Sequence, residues 1–316
     1  MTVEAYVCLV LSDVELAGTV FDAAVVSLVD DQISEPSRLP GWTRGHVIAH
    51  VALNAEGFVE VARALDAGRP AFMYPSGVEE RDAAIEALAR ASIHELRVRL
   101  RAANAGFISA WASPPPIGEC ATAPGHPTFE SSSVLQRRLR ELQVHLVDLG
   151  LVDFGTERWL PRFVHEDLDL QWPTVAHRAG RGVHAVDEFD VHWKANEDAI
   201  AGDPVRVDRD RLLAWVLDRA DIDGLPVLDA WSNRSKWEHL WAPPGGLVEC
   251  SFRQSAEAEC PDLGDLPEAG GVVDVVIGDD EVDLRAAAHE VFELGDHLGV
   301  GRLVQLGADV VGRTHD

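Results

Sequence analysis

The sequence is short of positive charge. Its 316 residues carry 27 Lys and Arg against 53 Asp and Glu, a formal net charge of −26. Only Lys194 and Lys236 are lysines. Phosphate backbones and anionic lipid surfaces repel so acidic a chain, which disfavours nucleic acid and membrane as partners. No apolar run approaches the ~18 residues of a membrane span. The N-terminus has an apolar patch, but it lacks a basic leader region and is interrupted by Glu4, Asp13 and Glu15, so it does not read as a secretory signal. The four cysteines, Cys8, Cys120, Cys250 and Cys260, are scattered and match no zinc-knuckle spacing. They read as thiols in a reducing cytoplasm, with a Cys250–Cys260 disulfide as the unsupported alternative. No Gly-rich phosphate loop and no G-x-S-x-G elbow is present, so nucleotide binding and serine hydrolysis lack support. Internal repeats and low-complexity tracts are absent too.

What is present suffices for a folded core. Hydrophobic residues make up 47% of the chain, and at ~150 residues per domain two domains with an appendage are expected. Residues 3–30 place Leu9, Val14, Ala17, Phe21, Ala24, Val25 and Leu28 at helical spacing. Thr43 is a good N-cap for a second helix, which Gly68 and Pro70 stop near Asp66. A third helix is predicted from about Val78 through Phe107, and 114–130 reads as a Pro/Gly loop. Ser131–Ser133 precede a fourth helix that Gly150 terminates. The fold class is therefore α+β: a four-helix bundle over 1–152, a small α+β domain over 155–231 and a C-terminal α+β extension over 232–316.

Within the second domain a helix is expected between Leu160 and Ala179, and another from Arg209 to Arg219. Residues 183–193 alternate as a strand with turns, with Val183, Ala185, Phe189, Val191 and Trp193 on one side. His184, Glu188 and His192 fall on the other. That side reads as the polar face of a half-exposed strand, with a second metal site the less favoured reading. In the extension, a strand over Gly271–Ile277, a helix from Glu281 to Leu298 and an apolar end at Leu303–Val311 are expected. His289 and His297 read as surface residues of that helix. The late tryptophans, among them Trp193, Trp215, Trp231, Trp237 and Trp241, read as packing.

The chemistry-bearing residues lie in the bundle. The second helix carries His46 and His50, and the fourth carries Glu141 and His145. Residues i and i+4 share a helix face, so Glu141 and His145 can converge on one ion. His50 and His145 both sit among apolar residues, and facing helices of a bundle are where metal sites are assembled. Two imidazoles and one carboxylate, with positions left open, suit a catalytic divalent site. The competing account of Glu141 and His145 is an ordinary intrahelical pair. His46 ranks below His50, since a hydrogen bond at the bundle edge explains it equally well. Before any likeness is used, an ion pair with Asp218 or Asp221 accounts for Arg219 as well as a binding role does.

Several ordered blocks then resemble one family. Leu39-Pro40-Gly41-Trp42-Thr43-Arg44-Gly45-His46-Val47-Ile48-Ala49-His50, followed by Asn54, is similar to the signature of mycothiol-dependent maleylpyruvate isomerases, which belong to the DinB-like metal-binding bundles. The likeness continues through Met73–Ser76, Arg81–Glu86, Arg138–Gly150 and Leu212–Arg219, and covers roughly 1–231. The scarcity of lysine beside abundant arginine resembles actinobacterial coding bias. The resemblance implies Zn²⁺, or another divalent metal, on His50, Glu141 and His145, and mycothiol as thiol cosubstrate. It puts the family's functional arginine on Arg219, expected to hold a carboxylate of thiol or substrate, and it leaves Tyr74 and Arg81 at the mouth of the site as cofactor-binding residues. Val216-Leu217-Asp218 departs from the family's usual Leu-Thr-Gly type sequence before that arginine.

The implied function is a cytoplasmic, zinc-assisted, mycothiol-dependent S-transferase. It would act on an electrophilic small molecule, in detoxification or in sulfur incorporation of the lincosamide thiol-exchange kind. The alternatives are a maleylpyruvate cis–trans isomerase and a non-enzymatic metal-binding stress or regulatory protein. The extension, absent from the resemblance, favours transfer on a specialised substrate and is compatible with a homodimer.

Overall fold

The computed structural model describes residues 3–229. Both sheets and the candidate site lie in the compact unit that begins at Asp13. The strand, helix and apolar end expected after residue 231 lie outside the described residues, as do His289, His297 and the tryptophans from Trp231 onward.

The first half is helical. Helices α1 (Val3–Val26), α3 (Arg44–Asp66), α5 (Ile93–Trp111) and α6 (Val134–Asp148) are its long members, with α2 (Asp30–Ile33) and α4 (Val78–Leu88) shorter. The apolar stripes read from the sequence form the core: Val14, Ala17, Phe21 and Leu28 from α1, Val47, Ile48 and Val51 from α3, Leu96, Leu100 and Phe107 from α5, and Leu139, Leu142 and Leu146 from α6 are all buried. Burying a side chain of this size contributes about 1.5–3 kcal/mol. Arg97 of α5 donates to the carbonyls of Val25, Val26 and Leu28, satisfying acceptors that the end of α1 leaves open. Arg138, fully buried on α6, ties three helices together by donating to the Val51 carbonyl, Asn54 Oδ1 and Asn104 Oδ1.

Two expectations fail here. The single helix from Val78 to Phe107 is two helices, because Ser92 starts a new one. Its hydroxyl accepts from Glu95 N at 3.3 Å, while Glu95 Oε2 accepts from Ser92 N at 2.9 Å. That reciprocal cap outweighs the continuous apolar periodicity. The loop 114–130 contains strands β2 (Glu119–Ala121) and β3 (Thr128–Glu130), which pair antiparallel, and β2 also pairs in parallel with β1 (Ala71–Phe72). Strands of two and three residues are too short to show alternation.

Helix α7 (Pro161–Arg178) opens the second half with proline at its first position, where no donor is needed. Strands β4 (Val183–Val186), β5 (His192–Ala195) and β6 (Val205–Arg206) form a sheet in the order β5-β4-β6, and α8 (Arg209–Val216) follows. The apolar side drawn for 183–193 holds at Val183, Ala185 and Trp193 and is corrected at Phe189 and Val191. Phe189 and Val191 are 67% and 40% exposed, and Asp187 is buried. The chain turns there, and Asp187 Oδ1 accepts the backbone N–H groups of Phe189 and Val191, each at 2.9 Å. Among the cysteines, Cys120 is a buried free thiol whose pKa burial pushes up to about 11. Cys8 is disulfide-bonded, against the expectation of thiols throughout. Among the described residues, no helix is long and apolar enough to cross a membrane.

Candidate metal centre

Helix α3 begins at Thr43, whose hydroxyl accepts from His46 N. The cap also fixes the fate of His46. Its Nδ1 lies 3.2 Å from Thr43 N and its Nε2 lies 3.3 Å from Glu86 Oε1. His46 therefore completes the cap and stands outside the cluster. One turn on, His50 faces α6. Helix α6 presents Glu141 and His145 on one face, above the buried Leu142 and Leu146.

These three side chains meet. Glu141 Oε2 lies 2.9 Å from His50 Nε2 and 3.3 Å from His145 Nε2. One ligand atom from each residue falls within 4.8 Å of the others, and the three are the one such group among the described residues. The imidazoles of His50 and His145 meet edge to face at 4.7 Å, and the Trp42 ring packs 5.5 Å from His50. The side chains of His50 and His145 are 13% and 14% exposed and that of Glu141 is 30% exposed, so the cluster is roofed but open on the carboxylate side.

A fourth residue orders the cluster. Asp148, fully buried, accepts from His145 Nδ1 at 2.9 Å. Arg219 grips the same carboxylate with two parallel bonds, Nε to Oδ1 at 2.9 Å and Nη2 to Oδ2 at 2.8 Å. A carboxylate on the distal imidazole nitrogen fixes tautomer and ring orientation, an arrangement typical of metal-ligating histidines. His145 Nε2 is thereby aimed at Glu141. The sequence reading missed Asp148, although its place three residues after His145 puts it on the same helix face.

The charges follow from these contacts. Burial opposes charge on Glu141, yet the hydrogen bonds from His145 and His50 hold its carboxyl well below the ordinary value. Burial likewise opposes charge on His145, but the bonds to Asp148 and Glu141 hold its pKa at about 9. Asp148 is kept low against burial by His145 and Arg219. Burial dominates at His50 and lowers its pKa, and its Nδ1 is buried without a hydrogen-bond partner. The donor set of two nitrogens and one oxygen converging from His50, His145 and Glu141 fits a site made for a divalent cation.

The remaining sequence candidates are placed as follows. Tyr74 stands beyond β1, its backbone N–H bonded to the Thr122 carbonyl at 2.9 Å. Burial, with the Glu141 charge second, raises its hydroxyl pKa. Arg81 lies over the Tyr74 ring at 5.6 Å and pairs with Asp82. The Arg219 fork, expected to receive a carboxylate of thiol or substrate, is filled by Asp148. A buried carboxylate needs a neutralising partner, and the guanidinium is the cation within reach. The expected partners Asp218 and Asp221 do not take that role.

The fold and the cluster define a helix bundle with a His/Glu/His group able to hold a metal ion, joined to a small α+β region. Residues 14–150 match the family model described as the mycothiol maleylpyruvate isomerase N-terminal domain. The solved structure of a mycothiol-dependent maleylpyruvate isomerase resembles the chain with a TM-score of 0.60 and 21% identity, covering 73% of this chain and all of that one. A histidine-to-alanine mutant of such an isomerase gives a TM-score of 0.61 at the same identity and coverage. At this identity the likeness is one of fold. No curated protein matches the chain.

Proposed function

We propose that the protein is a metal-assisted, mycothiol-dependent S-transferase whose thiolate attacks an electrophilic small molecule. The observation that carries the thiolate step of this reading is the convergence of His50, Glu141 and His145, with His145 locked by Asp148. These three residues would hold Zn²⁺ or a similar divalent ion. When bound, such an ion supplies the charge that shifts a thiol from its ordinary pKa of ~8.5 toward thiolate at neutral pH. A thiolate is the nucleophilic form.

The chain's own residues do the rest. Asp148 keeps the proton of His145 on Nδ1, so that Nε2 offers its lone pair to the centre. Arg219 acts through Asp148 as a positioning residue, and its charge offsets the buried carboxylate. Trp42 packs against His50 and shields that side of the centre from water. Tyr74 and Arg81 stand as the residues that meet the thiol cosubstrate at the open, Glu141 side. The sulfur forms a bond to an electrophilic carbon, and the leaving group departs with the electron pair of the broken bond. In the isomerase reading the thiolate adds to a conjugated double bond, the bond rotates, and the C–S bond breaks again to return the thiolate. The family of residues 14–150 favours that second reading. Transfer rests on the extension 232–316, which lies outside the described residues.

Calorimetry of the zinc-loaded chain with mycothiol tests the shared step, and saturable binding is expected. Product analysis with a monochlorobimane-type electrophile and with maleylpyruvate then separates the readings. Stable thioether formation supports transfer. Geometric isomerisation with no net thiol consumption establishes the isomerase instead. A zinc-loaded chain that binds no mycothiol overturns both and leaves the binding-protein alternative.

A further inference from the structure

A second pair of histidines meets outside the bundle. His184 on β4 and His192 on β5 stand across the hairpin, with ring centroids 5.1 Å apart. His184 Nε2 lies 2.8 Å from His192 Nδ1. The register pairs Val186 with His192 and His184 with Lys194, so the two imidazoles are diagonal neighbours on one face of the sheet. On the opposite face Val183, Ala185, Trp193 and Ala195 are buried, which anchors the backbone that carries both rings.

The separation of the two nitrogens has a coordination meaning. Ligand nitrogens about 2.0–2.1 Å from a metal lie roughly 2.9 Å apart when they subtend a right angle, and roughly 3.3–3.4 Å apart at the tetrahedral angle. The observed spacing is close to the right-angled value. Right-angled nitrogen pairs belong to tetragonal Cu²⁺ and Ni²⁺ sites, and Cu²⁺ stands highest in the affinity order of divalent first-row ions. We propose that His184 and His192 form a second, solvent-facing metal site that takes Cu²⁺ or Ni²⁺ through two adjacent nitrogens, with water completing the coordination.

The surroundings are consistent with two protein ligands and no more. Glu188, which the sequence places on the same side, is engaged elsewhere, since its Oε2 accepts from Arg209 N at 2.9 Å. Lys194 is the unfavourable neighbour, and Glu197 offsets its charge at 3.8 Å. Desolvation and the charges of His192 and Lys194 keep the His184 pKa below its ordinary value, which leaves a lone pair free at neutral pH. On loading, the proton between the two rings moves to the other nitrogen of the ring that carries it, so that both facing nitrogens offer lone pairs and both imidazoles stay neutral.

The test uses the full chain, first loaded with zinc and then titrated with Cu²⁺. Calorimetry gives the stoichiometry, and electron paramagnetic resonance reads the coordination. The wild type should take up one additional equivalent with a tetragonal signal split by two nitrogens. His184→Ala and His192→Ala should each weaken that equivalent at least tenfold while leaving zinc content and the melting temperature of the copper-free chain unchanged. The same comparison in the chelator-treated chain makes the result independent of what the bundle centre holds. A wild type without the additional equivalent overturns the proposal. So do variants that bind it as tightly as the wild type, which would trace the copper to other surface histidines.

Discussion

Two buried aspartates do different work in this molecule. Asp148 ends α6, and Asp187 follows β4. Each is gripped by an arginine at one end of α8. Arg209, the first residue of α8, places Nε 2.6 Å from Asp187 Oδ2, and Arg219, just past its end, forks onto Asp148. The difference lies in what else each carboxylate accepts. Asp187 takes the N–H groups of Phe189 and Val191 and Trp193 Nε1, so it fixes the path of a turn. Asp148 takes His145 Nδ1, so it fixes the orientation of a ligand. The same kind of ion pair thus serves the fold at one end of α8 and the candidate centre at the other.

The largest expected effect removes the ligand itself. His145→Ala should lower zinc content from about one ion per chain to under about a tenth, since a three-ligand site has no ligand to spare. Elemental analysis of the purified chain checks it. Full retention in this variant, and in the His50 and Glu141 variants, would end the assignment. The hairpin end of α8 should be unaffected, so far-ultraviolet dichroism should match the wild type.

Breaking the other end should cost stability and leave the metal alone. Asp187→Asn takes the carboxylate from an Arg209 side chain that is only 13% exposed, leaving it His165 as a polar partner. Loss of one partner of such a pair costs about 3 kcal/mol. The effect has a definite pH dependence. Burial works to raise the Asp187 pKa, but hydrogen bonds from Arg209, Trp193 and the turn amides hold it at about 2, below the ordinary 3.8. A lowered folded-state pKa gives stability that is complete above about pH 4 and is lost as pH falls toward 2. Urea melts should therefore show the gap between wild type and variant closing over that interval. A gap that stays constant down to pH 2 would mean that the contribution does not depend on the carboxylate charge.

Asp148→Asn also takes a carboxylate from a half-buried arginine, and it adds an effect on the metal. It keeps the shape but weakens the hold on His145 Nδ1, and the loss of such an orienting group costs 10–100-fold in metal affinity, or about 1.4–2.8 kcal/mol. Competition with a chromophoric chelator measures it. An unchanged affinity would make Asp148 a structural anchor like Asp187 and dissolve the contrast between them.

How far the sequence alone reaches differs at these two places. The long helices were readable because their apolar spacing is local, and Glu141 and His145 because one turn of one helix brings them together. His50 joined them through the bundle and the family likeness. At the hairpin only Phe189 and Val191 were misplaced, because Asp187 accepts the amides that turn the chain there and no apolar pattern marks a carboxylate as that acceptor. The partner of Arg219 was not legible because it lies 71 residues away. No local pattern records that pair.

The smallest effect concerns the residue that aims Arg219. Helix α8 ends with Asp218 in the left-handed region, at φ 63°. Arg219 N donates to the Ala214 carbonyl at 2.7 Å and Asp218 N to the Trp215 carbonyl at 3.1 Å, the paired bonds of a helix terminus that normally carries glycine. The Leu-Thr-Gly type sequence of the resembled family has glycine at this place. An L-residue there is strained, aspartate less than most, while glycine costs more chain entropy on folding. Asp218→Gly should therefore stabilise the chain by about 0.5 kcal/mol, visible as a small rise in the urea midpoint at constant slope. Metal affinity should not change, because the fork of Arg219 stays on Asp148. One force opposes the gain, since the Asp218 charge supports the buried guanidinium of Arg178. A loss of about 1 kcal/mol instead would show that this charge outweighs the backbone strain. The aspartate would then be part of the ion-pair framework around α8 and not merely a tolerated substitute for glycine.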